Sequence, residues 1–261
     1  MYLLLLACSS EEVDRLSAEL WERGVAGIQE TGAGLIASFE EDEQQAELLE
    51  RFASYSPEWK RAPATDWIEH TYDAWPPRLI GNRFFLAPVW SDAQTPPGRE
   101  RIVHNPGLAS GTGEHPCTQL ALLALEKLVR PETVVLDIGA GSGILGLAAL
   151  RLGASAGLGL DPDENALAVA RENFSLNSFE PALVAGTVDC LATGIADITV
   201  ANINATVLLS ILDDLLRVTR PAGTLILTGF TDAELQPFLQ VFPNNVLSSL
   251  NEWRCVAARL S

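Results

Sequence analysis

The chain has 261 residues, and 34 acidic side chains stand against 17 Lys and Arg for a formal net charge of −17. With 48% apolar residues it has the composition of a folded protein with a sizeable core, which excludes an intrinsically disordered or disulfide-scaffold protein. The acidic excess repels phosphate backbones, so direct nucleic-acid binding is not expected, and three His and four scattered Cys without a Cys-x-x-Cys spacing argue against a metal site.

Residues 1–9 resemble the end of a lipoprotein signal around Ala7-Cys8. They lack a basic leading region, and an apolar run of about six residues is too short for a signal core, so a buried first strand is expected instead. Ser9 and Glu12 make a capping-box pattern ahead of a helix with Val13, Leu16 and Leu20 on one face, closed by Gly24. Residues 25–29 and 35–39 read as strands joined through Thr31-Gly-Ala-Gly34, and residues 41–53 as a second amphipathic helix. Strand, helix, strand, strand, helix predicts a small α+β domain over residues 1–60, ferredoxin-like or close to it. Residues 57–77 mix prolines, aromatics and charge and read as a connector, which places a linker at 61–78 and a second domain at 79–261.

In that second domain, residues 84–89 and 101–103 read as short strands around a Pro-Pro-Gly turn at 96–98. Pro116 starts a helix running to Val129, and Pro131 stops it. Strands at 133–137, 157–161, 182–185 and 198–201 alternate with helices near 144–152, 164–177 and 207–218. After Pro221-Ala-Gly223 come a strand at 224–228, a helix from Asp232, and paired strands near 246–250 and 255–259. The alternation predicts an α/β fold with a doubly wound, mostly parallel, seven-stranded Rossmann-like sheet and an antiparallel edge. No segment reaches membrane-spanning length, and a soluble, cytoplasmic protein without membrane contact is expected.

The chemistry is carried by Val134-Val-Leu-Asp137-Ile-Gly139-Ala-Gly141-Ser-Gly143 and by Gly159-Leu-Asp161-Pro162. An apolar strand ends in an acid, a glycine turn opens a helix, and the next strand ends in a second acid. Gly141-x-Gly143-x-x-Gly146 also satisfies the pattern of a dinucleotide-binding turn, which would set a pyrophosphate on the helix amino end. Asp137 is expected to face the ligand, where it would repel a pyrophosphate and welcome a cationic amino-acid moiety. Asp161 can accept both ribose hydroxyls of an adenosine. S-adenosylmethionine, with an α-ammonium, a sulfonium and a ribose diol but no phosphate, fits the pair better than NAD.

Two further segments flank the glycine turn. Residues 105–118 form a glycine-rich stretch leading into a helix, with His115 before it and Thr118 in its first turn. They read either as a segment that closes over a ligand or as an ordinary helix-start loop with His115 on the surface. Asn202, at the end of Val200-Ala-Asn202-Ile-Asn204, is placed to bond a substrate amine or the cofactor; asparagine at a strand end is also ordinary turn chemistry. His115 is the best candidate for a general base, with water as the alternative.

Together these segments resemble the PrmA family, methyltransferases of large-subunit ribosomal protein L-eleven. The matching residues are Pro106-Gly-Leu-Ala-x-Gly111-Thr-Gly113-x-His115-Pro116-x-Thr118, Leu136-Asp137-x-Gly139-x-Gly141-Ser-Gly143, Gly159-x-Asp161-x-Asp163 and Val200-Ala-Asn202-Ile. Upstream, Asp66-Trp67-Ile-Glu69 and Phe85-Leu-Ala-Pro-Val-Trp90 match as well, so nearly the whole chain is covered. The resemblance implies a small substrate-gripping domain, a linker, and a catalytic domain that uses S-adenosylmethionine to methylate lysine side chains and the amino terminus of a basic ribosomal protein. It makes Thr118, Gly139, Asp161 and Asn202 cofactor contacts; Asp137 and Gly141 join them from the residues themselves, and Asn202 and His115 are the catalytic candidates. Ser110 stands where the family has Phe, Cys117 where it has Thr, and Asn204 where it has Leu or another non-amide residue; the Lys common near residues 73–77 is lacking. These departures leave open another protein or small-molecule acceptor, including the branch that methylates the electron-transfer flavoprotein β subunit, or an inactive cofactor-binding regulator.

Overall fold

The computed structural model describes residues 2–9, 12–25, 27–31, 34–39, 45–61, 75–105 and 113–261. Four sequence expectations lie outside these residues: the segment 106–112 with Ser110, most of the connector at 62–74, the start of the second helix at 41–44, and the turn at 32–33. The chain divides into two units, Met1–Ala74 and Trp75–Ser261.

The first unit runs β1 (Tyr2–Ala7), α1 (Val13–Glu22), β2 (Gly27–Thr31), β3 (Gly34–Phe39), α2 (Gln45–Arg51), β4 (Glu58–Arg61). Its sheet has the order β2-β3-β1-β4 with every pair antiparallel, which is the ferredoxin-like arrangement. Leu4 and Leu6 on β1 and Leu35, Ala37 and Phe39 on β3 alternate onto one face, where α1 sets Val13, Leu16 and Leu20 and α2 sets Leu48. The Ser9–Glu12 pattern forms only half a capping box. The Glu12 carboxylate accepts from the Ser9 N–H at 3.1 Å and from the Ser9 hydroxyl at 2.8 Å, so that hydroxyl donates and does not cap the helix.

Strand β4 corrects the connector expectation. Residues 58–61 pair with β1 from Tyr2 opposite Arg61 to Leu5 opposite Glu58, and Trp59 packs beside Tyr2 and Phe39. A four-residue strand with one apolar side chain has too little alternation to be told from a linker before its partner strand is in place.

The second unit opens with a three-stranded sheet of β5 (Arg78–Ile80), β6 (Phe84–Pro88) and β7 (Glu100–His104). Strand β5 begins inside the expected linker. Strands β6 and β7 run parallel, so the Pro-Pro-Gly at 96–98 lies on a crossover and not in a hairpin.

The main sheet contains β8 (Val134–Ile138), β9 (Ala156–Asp161), β10 (Ala182–Ala185), β11 (Ala196–Asn202), β12 (Thr219–Thr231), β13 (Asn245–Leu250) and β14 (Trp253–Arg259), in the order β10-β9-β8-β11-β12-β14-β13. The first five are parallel, and β14 is antiparallel to both neighbours. Helices α3 (Pro116–Leu128), α4 (Ile144–Arg151) and α5 (Glu164–Leu176) cover one face, burying Leu120, Leu147 and Phe174 against Val135 and Val200. Helices α6 (Ala205–Ser210), α7 (Leu212–Val218) and α8 (Gln236–Val241) cover the other with Leu208, Leu215 and Phe238. Double cover is why the central strands read as unbroken apolar runs.

The single helix expected at 207–218 is two, divided at Ile211. At the end of α6 the Val207 carbonyl accepts both the Ile211 N–H at 3.1 Å and the Ser210 hydroxyl at 2.8 Å. Chain order reverses direction across the sheet between β8 and β11, which opens a crevice at their carboxyl ends, where open α/β sheets bind ligands. Among the described residues, no helix is long and apolar enough to cross a membrane.

Candidate functional site

A cavity of about 960 Å³ lies at the carboxyl ends of β8, β9, β10 and β11. Gly139 and Gly141 line it from the turn after β8, Asp161 from the end of β9, Val188 from the loop after β10, and Asn202 from the end of β11. Residues Ala166 and Val169 of α5 add an apolar wall.

The glycine turn is bonded to itself and to its neighbours. The Gly139 and Ala140 N–H groups both donate to the Leu160 carbonyl, at 2.8 and 3.0 Å, and the Gly143 N–H donates to the Ala140 carbonyl at 2.8 Å. The Gly141 N–H donates to Asp161 Oδ2 at 2.9 Å, and the Asp163 N–H donates to Oδ1 at 2.9 Å. Asp161 is therefore fixed by two backbone groups, and each of its oxygens keeps a second lone pair for a ligand. Gly139 has φ 72°, and a Cβ there would come within 2.6 Å of the Ile203 side chain, so only glycine fits between the two loops.

Two residues separated by 84 positions complete the wall. Asn202 Nδ2 donates to Thr118 Oγ1 at 3.1 Å, which holds the amide in one orientation with Oδ1 as the remaining acceptor. Thr118 itself is buried in the first turn of α3. Gly229, which the sequence reading did not single out, makes this loop fit. Its φ is 103°, and a Cβ would lie 2.2 Å from the Ile203 carbonyl oxygen. An isolated glycine inside a strand run (Leu227-Thr-Gly229-Phe) was the available signal for so close an approach.

Asn204, one of the departures from the family pattern, caps α6 by accepting the Val207 N–H at 3.0 Å. It caps the helix start and also lines the cavity. Cys117 is buried against Thr228 and Gly229 of β12, and burial pushes its thiol up.

Two expected site residues lie elsewhere. Asp137 does not line the described cavity. On β8 it alternates with Leu136 and Ile138, whose side chains enter the opposite core, and so it points toward the face covered by α4. It is 1% exposed, and neither carboxylate oxygen has a hydrogen-bond partner among the described residues. Burial, with a smaller push from Asp161, raises its carboxyl well above the usual range; the Gly146 backbone, outside hydrogen-bonding geometry, opposes this only in part.

His115 also falls outside the cavity lining. Its Nδ1 accepts the Cys117 N–H at 3.3 Å as the N-cap of α3, and its ring meets Trp253 edge-on with centroids 4.5 Å apart. Its Nδ1 is thus engaged by a backbone N–H at the helix start.

The model of the family described as Ribosomal protein L11 methyltransferase (PrmA) matches residues 6–260. The chain belongs to this family. Ribosomal protein L11 methyltransferases of Geobacter sulfurreducens and Clostridium perfringens are 39% identical over 201 residues and 35% identical over 202 residues, each match covering 75% of this chain. These matches span 65% and 64% of the relatives' own length. The solved structure of a ribosomal protein L11 methylase from Lactobacillus delbrueckii subsp. bulgaricus superposes with a TM-score of 0.64 at 30% identity, covering 70% of this chain and 97% of that one. The sheet order and the doubly wound layers are thus those of a Rossmann-like PrmA fold. Of the four positions that the PrmA resemblance assigned to the cofactor, Gly139, Asp161 and Asn202 line one cavity, and Thr118 bonds Asn202 at its wall.

Proposed function

We propose that this chain is an S-adenosylmethionine-dependent N-methyltransferase that acts on amino groups, lysine side chains and the amino terminus, of a basic ribosomal protein. The observation that carries this reading is the bonding of Asp161. Its carboxylate occupies the Gly141 amide, the amides of Gly139 and Ala140 are taken by the Leu160 carbonyl of β9, and that of Gly143 by the Ala140 carbonyl. A pyrophosphate would find an anion where a dinucleotide-binding turn offers free N–H groups. A ribose diol finds two oriented acceptor oxygens. The apolar wall from α5 suits the uncharged adenosine and the Asp161 carboxylate its ribose, so the residues present fit S-adenosylmethionine.

Bound there, S-adenosylmethionine supplies an electrophilic methyl group on a sulfonium. Asp161 anchors the ribose, and the glycine turn approaches through backbone alone. Asn202, steadied by Thr118, turns Oδ1 toward the acceptor amine and accepts one of its N–H bonds, which aims the nitrogen lone pair. A carboxylate in that position would hold the amine protonated. An amide does not, and this matters because a lysine amine of pKa about 10.4 is neutral only about once in two thousand molecules at neutral pH. The proton left on the methylated amine would pass to water. His115 takes no part, since its Nδ1 is committed to Cys117. Orientation and desolvation of the amine supply the acceleration, effects worth several kcal/mol.

The substrate assignment draws on the names of the relatives and on charge. A chain with a net charge of −17 attracts a basic ribosomal protein and repels nucleic acid. The first unit is read as the domain that grips the protein substrate, and the enzyme is placed in the cytoplasm without membrane contact. Calorimetry with S-adenosylmethionine and with NAD, followed by transfer of a labelled methyl group to a basic ribosomal protein, tests the reading. Binding of the first cofactor and labelling of amino groups support it. Binding of NAD instead, or cofactor binding without turnover on any protein amine, would overturn it.

A further inference from the structure

Helix α5 carries Asn173, and Asn177, four residues on, is its C-cap; the two are 1% and 3% exposed. Asparagine inside a helix weakens it, because the short amide competes for backbone groups. A buried amide inside the helix and a second at its end each need partners, and the two uses differ. Asn177 pairs with β7 as a neighbouring strand would: Oδ1 accepts the Val103 N–H at 2.9 Å, and Nδ2 donates to the Val103 carbonyl at 2.6 Å. Asn173 bridges. Its Oδ1 accepts the Asn105 N–H at 2.7 Å, just past the end of β7, and its Nδ2 donates to the Ser142 carbonyl at 2.9 Å.

Ser142 sits between Gly141, whose N–H holds Asp161 at 2.9 Å, and Gly143, which has φ 76°. A Cβ on Gly143 would come 2.9 Å from the ring of Phe174, the residue after Asn173, so the turn lies close against α5. Since the Ser142 carbonyl accepts from the interior, the peptide plane that follows Ser142, two planes on from the one carrying the Gly141 N–H, is fixed by a side chain that does not line the cavity. The same helix lines the cavity two turns earlier, through Ala166 and Val169.

We propose that Asn173 is a positioning residue for the cofactor: by holding the Ser142 carbonyl it sets the glycine turn whose Gly141 amide aims the Asp161 carboxylate. This rests on the S-adenosylmethionine reading of the cavity. Asn177, the C-cap of the same helix, supplies the comparison: it is equally buried and bonds Val103 of β7 and the Asn173 carbonyl, while its amide bonds no atom of the glycine turn.

The test is the dissociation constant of S-adenosylmethionine, measured by calorimetry for the full chain and for N173A and N177A, well below their melting temperatures. Loss of the Asn173 bond is expected to weaken binding about tenfold, in line with one lost buried hydrogen bond. The KM for S-adenosylmethionine rises in parallel, while the KM for the protein acceptor stays put. N177A lowers the melting temperature comparably and leaves the dissociation constant within about twofold, a difference smaller than one hydrogen bond's worth. Should N173A not fold, N173D keeps the volume and the acceptor for Asn105, loses the donor to Ser142, and is expected to show the same loss. Equal affinities in the two asparagine variants would overturn the inference alone. Absence of binding by the unmodified protein would overturn the cofactor reading and the inference with it.

Discussion

Asp161 shows how little a binding residue is defined by its own identity. Its carboxylate is competent because two backbone N–H groups fix it while a lone pair on each oxygen stays open. Replacing it by alanine removes two charged acceptors from a ribose and also frees the Gly141 amide. Charge-assisted hydrogen bonds are worth about 1.5–3 kcal/mol each, so D161A is expected to weaken S-adenosylmethionine binding on the order of 100-fold by calorimetry. Near-normal affinity would remove Asp161 from the site. His104 offers a prediction of another kind. It is 5% exposed at the end of β7, and burial alone lowers its pKa from 6.5 to about 4. The folded protein thus keeps the ring neutral where the unfolded chain would protonate it. The associated stability is present in full above pH 6.5 and is lost as pH falls through about 4, on the order of 3 kcal/mol at the low end. In denaturant titrations, H104Q is expected to flatten the fall in stability between those pH values relative to the unmodified protein. Parallel curves would show that His104 is not the titrating group.

Elements position the site through close backbone contact more than through side-chain bonds. Strand β12 carries Gly229 against the Ile203 carbonyl, with no room for a Cβ, and so determines where the loop bearing Asn202 can lie. G229A combines a left-handed φ with a steric overlap on backbone, and strain of this sort costs about 1–3 kcal/mol. The loop is expected to move, with kcat/KM falling tenfold or more and the melting temperature dropping by several degrees, on the scale of such strain. Unchanged kinetics with a lowered melting temperature would mean that the loop has slack. The glycine turn itself was legible in the sequence, since three glycines between a strand and a helix leave few alternatives. Asp137 was not. Period-two alternation alone puts it on the same face as Val135, yet its place at a strand end suggested a ligand in front of it. The strand continues one residue further, to Ile138, and carries the carboxylate under α4.

Among the described residues of the molecule, one apolar cluster belongs to the first unit, and two, on opposite faces of the main sheet, belong to the second. A unit with its own core is expected to fold alone. Deleting residues 1–74 is therefore expected to leave S-adenosylmethionine affinity intact and to abolish methylation of the protein substrate, measured by label transfer. Full-rate methylation by the truncated protein would show that the first unit does not dock substrate.

Periodicity and punctuation, being local, were enough to give the α/β class, the alternation of the main sheet, the ferredoxin-like character of the first unit and the residues of the glycine turn. A strand such as β4 has no such signature, because its stability comes from the ladder it forms with β1, more than 50 residues earlier in the chain. The site followed the same division. Residue types at strand ends named Asp161 and Asn202 without the fold, and the PrmA resemblance added Gly139 and Thr118. Which acid meets the cavity, the loss of His115 to a helix cap, and the partnership of Asn202 with Thr118 depend on directions and distances between elements far apart in sequence, and these exist only once the sheet has closed its layers around them.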